Sequence, residues 1–273
     1  MIADNFMVTV EVVPPTGPDA AALLTALEPL AGLTFDAFSV ATNPVAKPRM
    51  SAMALCALLQ HKTGKPAILH CTTRDHNRLS LQGMLWGARA LGIETVLIAT
   101  GDFIALGDRM HTTSVRDLDV FDLVGMAREA ELRTGVVFDT HPESDGLENA
   151  VRRLARKVAA GAQFAVTQPV YDEAGADQLI EATQHLKIPI ILGILPLRTP
   201  RHAEFLHRKV AGIAVPEKVR NRMQRADDPV AEGVANAGEM LAIARRRFAG
   251  ACLMPPFDHY EVLLDLLKDK DGL

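Results

Sequence analysis

Residues 148–170 read ENAVRRLARKVAAGAQFAVTQPV. Val151, Leu154 and Val158 recur at three- and four-residue spacing with Arg and Lys between them, the pattern of an amphipathic helix. Gly161 stands where that helix should stop, and Phe164–Val170 follows as a short apolar run with strand character. One helix, one glycine and one strand therefore fit within 23 residues. Gly64 and Gly92 sit at the corresponding points of two earlier units, before the next strand begins.

Outward from this unit the same alternation fills the chain. Candidate strands are Phe6–Val13, Phe35–Val40, Ala67–Thr73, Glu94–Thr100, Gly135–Thr140, Phe164–Val170, Ile188–Leu195 and Gly250–Met254. Their near-continuous Val, Ile, Leu and Ala content is what a parallel sheet covered by helices on its face requires. Eight units in 273 residues is about 34 residues each, close to the ~250 residues of a TIM barrel. The α/β class and the (βα)8 TIM barrel follow, as a single catalytic domain over residues 1–273 that leaves no length for a regulatory domain. After Leu197 the spacing stretches, and AEFLHRKVAGI, EKVRNRMQRA and AEGVANAGEMLAIARRRF predict extra helices before the last strand. A doubly wound sheet is the rival on alternation alone, but VTVEVVPPTGP carries no G-x-G-x-x-G turn after the first strand.

Composition narrows the function. Lys plus Arg number 29 against 33 Asp plus Glu, for a net charge of −4, which is not the footprint of a nucleic-acid binder. Small molecules are the expected partners. No apolar run reaches the ~18 residues of a membrane span, and the N-terminus has no secretory pattern. Three cysteines without a CxxC pair point to a reducing compartment, the cytoplasm. Aromatic residues are only 5%, thin for a ring-lined pocket.

In a barrel the chemistry sits at the carboxyl ends of the strands. Glu11 interrupts the apolar first strand, so it is either paired with an interior Lys or Arg or has a raised pKa, as a general acid near neutral pH requires. Thr42 and Asn43 follow the second strand, and His70 and Thr72 end the third. Gly101 allows a tight turn that brings Asp102 to the mouth, where it serves either the site or the turn itself. Gln168 can read the edge of a heterocycle, held extended by Pro169, or can bond neighbouring loops as a structural amide. His70 and His141 lie on different strands and no HExxH occurs, which argues against a metal. Arg152, Arg153, Arg156 and Lys157 share a helix. Such a run is usually solvated, yet Arg153, Arg156 and Lys157 fall on one side, close enough to contact a phosphate.

Taken together, EVVPP at Glu11, HCTTRDHNR from His70, VLIATGD ending at Asp102, HPE from His141, KVAAGAQFAVTQPVYD from Lys157 and GILPL from Gly193 resemble the methylenetetrahydrofolate reductase family. Their order and spacing match from Glu11 to about His259. The resemblance implies a flavoprotein barrel that reduces 5,10-methylenetetrahydrofolate to 5-methyltetrahydrofolate, in the one-carbon metabolism that feeds methionine biosynthesis. NADH or NADPH would reduce FAD and leave, and the folate would then take the hydride. Glu11 would be the general acid, and Asp102 would stabilise a substrate cation beside the flavin. Gln168 and His259 would contact substrate. Thr42, His70, Thr72, Gly101, Asp119, Val120, His141, Arg156 and Lys157 would join Asp102 around the cofactor. Thr42, Val137 and Leu206 stand where many relatives place rings; Thr100 and His259 stand for arginines and Ala150 for an aspartate. The resemblance implies no membrane partner and is compatible with a homo-oligomer. Two other readings stay open: a methylene-tetrahydropterin reductase that works without flavin or through a partner, and a non-catalytic pterin-binding subunit of a redox complex.

Overall fold

The computed structural model describes residues 6–139, 146–210 and 212–268. Eight strands run in chain order: β1 (Met7–Val12), β2 (Ala37–Val40), β3 (Ala67–Thr72), β4 (Thr95–Ala99), β5 (Arg133–Phe138), β6 (Phe164–Pro169), β7 (Ile190–Ile194) and β8 (Gly250–Leu253). Each pairs in parallel with the next, and β8 returns to β1, so the sheet closes into a barrel without edges. The expected TIM barrel is the fold found.

The helices are α1 (Ala21–Ala31), α2 (Ala52–Thr63), α3 (Arg78–Ala90), α4 (Val120–Glu129), α5 (Gly146–Ala159), α6 (Glu173–Thr183), α7 (Pro200–Lys209), α8 (Glu217–Arg225), α9 (Pro229–Arg247) and α10 (Leu263–Lys268). Three helices stand between β7 and β8 where the repeat calls for one, as the stretched spacing predicts. Gly64, at φ +69°, ends α2 in the left-handed conformation, which glycine adopts without a Cβ penalty.

Strand alternation divides the core in two. On β1, Val8, Val10 and Val12 pack outward in the layer beneath the helices. Inside the barrel lie Ala37, Ile68, Leu97, Phe164, Val166, Ile191 and Cys252, with Met7 and Val137 against them. β1, β2, β4 and β7 start one or two residues later than expected, whereas β5 starts two residues earlier, at Arg133 rather than Gly135. The Arg133 amide donates to the Glu94 carbonyl and its Cα pairs with Thr95. Polar Arg133 reads as loop, yet it lies at the open lower end of the barrel, where a charged side chain is tolerated.

Gly135 is fixed by its neighbour on β6. A Cβ there would stand 2.2 Å from the Phe164 ring, which is fully buried across the lower barrel. Gly135→Ala should destabilise the fold by about 2 kcal/mol or more, the range for overpacking a filled core, read from the midpoint of urea unfolding.

Candidate active site

Glu11 faces into the barrel because its strand neighbours Val10 and Val12 face out. Its register partner on β2 is Ser39, and the Cys252 thiol and Tyr260 phenol both lie within its field. Among the described residues no hydrogen bond or ion pair holds the carboxyl. The salt-bridged alternative is therefore not realised, and burial pushes the Glu11 pKa up to about 7. The side chain is still partly open toward the mouth.

His70, one strand further round, places Nε2 2.8 Å from Ser39 Oγ. Burial pulls its pKa down to about 4, so the ring is neutral at physiological pH. Thr42 Oγ1 donates to the His70 carbonyl, and Thr72 is buried at the end of the same strand. Among the described residues no His, Cys, Asp and Glu cluster could hold a metal ion.

The rim above β2, β3 and β4 is built on Arg74, which carries no role in the sequence reading. Its guanidinium is 4% exposed and grips Asp75 with both Nε and Nη2. Nη2 also donates to the Asn43 carbonyl at 3.0 Å and Nη1 to the Asp102 carbonyl at 3.1 Å. Asn43 Nδ2 returns a bond to Asp75 Oδ2. Burial raises the Asp75 pKa, but the Arg74 and Asn43 hydrogen bonds outweigh it and leave the carboxyl below its ordinary value. One bidentate pair thus joins three loops. An Arg-Asp dipeptide after a strand is a signal for such a pair, although the partners across the loops are not readable from it.

Gly101, at φ +87°, lies so close that a Cβ would meet Arg74 and Thr72 at 3.1 and 3.2 Å. The turn delivers Asp102, whose Oδ2 accepts the Val45 amide at 2.6 Å. Asp102 therefore serves the turn network and still lines a cavity of about 770 Å³ over β3, β4 and the long loop to α4. Gly101, Asp119 and Val120 line it too, with Arg74, Arg109 and Arg116 supplying positive charge. Asp119 caps α4, taking the Phe121 and Asp122 amides, so its carboxylate is committed to the helix.

On the opposite wall, the β6–β7 ladder shifts register between Val166 and Pro169. Thr167 Oγ1 takes the Gly193 amide at 2.9 Å, and a Cβ on Gly193 would stand 2.5 Å from the Thr167 carbonyl. Such irregularities re-aim side chains beside functional sites. Gln168 is half-buried, and among the described residues its amide has no hydrogen-bond partner, so the structural-amide alternative is not realised.

Lys157 donates from Nζ to the Val137 carbonyl at 2.6 Å; burial lowers its pKa to about 8. Arg156 lies over the Phe121 ring at 4.0 Å, and Arg152 pairs with Glu148 on the solvated face. His259 follows β8 with Nδ1 2.7 Å from Glu261. Ala150 and Leu206 are buried in helical cores. His141 lies outside the described residues. The cavity is within the ~300–1,000 Å³ of cofactor pockets, and its arginines suit a nucleotide diphosphate. The lining, with Arg109 and Arg116, fits the phosphate part of a dinucleotide; Glu11 and Gln168 are not among its residues.

A family profile described as methylenetetrahydrofolate reductase matches residues 1–250. Over 157 residues the chain is 24% identical to the “Probable methylenetetrahydrofolate reductase (NADPH)” of Caenorhabditis elegans, covering 54% of this chain and 23% of that protein. It is 24% identical to the 5,10-methylenetetrahydrofolate reductase of Buchnera aphidicola over 164 residues, 59% of this chain and 54% of that one. The matches thus span about half or less of these relatives. Among solved structures, a Clostridium thermocellum protein that binds two copies of 5-methyl-5,6,7,8-tetrahydrofolic acid superposes with a TM-score of 0.71 at 14% identity, over 97% of this chain and 94% of that one. A 2,3-dimethylmalate lyase reaches 0.55 at 15% identity, over 97% and 81%. These likenesses show the shared barrel.

The Glu11 carboxyl has a testable signature in stability. Its pKa rises on folding from 4.5 to about 7, so the folded state binds the proton more tightly. That contribution is fully present below about 4.5 and is lost as pH climbs through about 7. Glu11→Gln should nearly match the parent in urea unfolding at pH 4.5 and exceed it by about 3 kcal/mol at pH 8. A constant difference across that range would show that the carboxyl is not shifted.

Proposed function

Because the chain belongs to the methylenetetrahydrofolate reductase family, we propose that it reduces 5,10-methylenetetrahydrofolate to 5-methyltetrahydrofolate, with residues 1–273 acting as one catalytic unit. The observation that carries this reading is Glu11: an unpaired carboxyl inside the barrel with its pKa near 7. A group so poised is protonated often enough to act as an acid and is readily reprotonated. FAD, loaded by NADH or NADPH, would supply the hydride.

The protein's own part begins with orientation. The free amide of Gln168 presents two donors and an acceptor to the edge of the pterin. The protonated Glu11 carboxyl then delivers its proton to the departing nitrogen as the imidazolidine ring opens, which leaves an iminium on the substrate. Asp102 stands at the rim, where a carboxylate would favour that cation over the closed ring. Neutral His70 adds no opposing positive charge beneath the site. Gly101, Asp119 and Val120 shape the cavity wall, while Arg109 and Arg116 would supply cationic character for a diphosphate.

The flavin-independent reading draws on one observation. Lys157 is engaged with a β5 carbonyl, Arg156 with Phe121, and Ala150 offers no polar group, so several expected cofactor contacts are weak. Glu11, Asp102 and Gln168 together speak against a non-catalytic pterin-binding subunit. Three buried free cysteines accord with a cytoplasmic setting, and among the described residues no helix is long and apolar enough to cross a membrane.

The purified protein should show a flavin absorbance spectrum that survives gel filtration or returns on adding FAD. A colourless protein that turns over methylenetetrahydrofolate with NADH would favour the flavin-independent route. Glu11→Gln should lose about 100-fold or more of folate reduction, the scale of general acid catalysis, and keep most of its NADH oxidation by menadione. Equal loss in both assays would remove Glu11 from the acid role.

A further inference from the structure

Arg198 follows β7 on the mouth side of the barrel, immediately before α7. Its Nε is buried without a hydrogen-bond partner, and among the described residues no carboxylate pairs with its guanidinium. This is unlike Arg74, Arg220 and Arg222, whose guanidinium groups all bind carboxylates. The backbone around Arg198 is fixed: its amide donates to His202 Nδ1 at 3.3 Å, and Thr199 caps α7 by accepting the His202 amide at 3.0 Å. The His202 ring lies 5.0 Å from the Phe257 ring. Glu261 stands within the field of Arg198, but its carboxylate is bound to His259. An unsatisfied buried donor calls for a cause. A ligand anion supplies both the countercharge and the missing acceptor.

We propose that Arg198 anchors a carboxylate of the substrate's glutamyl tail. The inference rests on the folate reading above. β7 adjoins β6, and Gly193 pairs with Pro169, so the loop that carries Arg198 leaves the barrel beside the strand that holds Gln168. A ligand held by its ring at Gln168 and Glu11 would reach Arg198 if its acidic tail leads outward over the β7 side of the rim. The guanidinium there offers a planar fork to a carboxylate, and the same chemistry would take a phosphate of the dinucleotide donor.

Isothermal titration calorimetry with 5-methyltetrahydrofolate and with 5-methyltetrahydropteroate, which lacks the glutamate, separates these sources. The parent protein should bind the glutamate-bearing ligand about 10- to 100-fold more tightly, the worth of hydrogen bonds to a charged group. Arg198→Gln should erase that preference, Arg198→Lys should keep part of it, and the KM for NADH in menadione reduction should not change. Equal binding of the two pterins by the parent overturns the proposal even if the variant fails to fold. So does a tail preference that survives in Arg198→Gln, or a loss confined to NADH, which would assign the anion to the dinucleotide phosphate. Binding of neither pterin would instead overturn the folate reading on which the proposal rests.

Discussion

A carboxyl group enclosed by a closed barrel, with no cation among the described residues to answer it, governs the upper half of this molecule. Closure of β8 onto β1 leaves Glu11 no edge to escape from, and strand alternation turns it inward. Its neighbours adjust accordingly. The Cys252 thiol is pushed up to about 12 by burial and by Glu11, while burial leaves His70 neutral. The upper interior, where Glu11, Ser39 and His70 meet, is therefore poor in permanent charge.

Charge is concentrated at the rim, where it is organised unevenly. On the β2–β4 side Arg74 ties three loops together through Asp75, Asn43 and Asp102, and the left-handed residues Asn43, Val45 and Ala46 are held within that network. Val45 is β-branched and pays a steric cost at positive φ; its amide is fixed by Asp102. On the β7–β8 side the cations are less committed. One wall of the mouth is thus a rigid scaffold, and the other keeps binding capacity in reserve.

Much of this was legible in the sequence because buried parallel strands read as uninterrupted apolar runs, and a charge within one stands out. Glu11 is legible for that reason, and Gln168 because a proline follows it. The expected start of β5 at Gly135 falls two residues short because Arg133 reads as loop until the open barrel end is known. Asp119 reads as a cofactor contact, whereas its carboxylate caps α4; the Asp122 three residues later was the available clue. Arg74 and Arg198 were not legible in their roles. An arginine announces a charge, but whether partners converge on it or none does is decided only when distant strands are brought round the barrel.

The contact between Gly135 and Phe164 has a historical consequence. The two positions share one volume across adjacent strands, so they are inherited as a unit. A lineage that enlarges residue 135 first must pass through a steric clash, whereas one that first trims the ring at 164 passes through a void that the surrounding core can partly collapse to fill. Sterics therefore order the steps: along this seam of the barrel, the ring has to shrink before the glycine can grow.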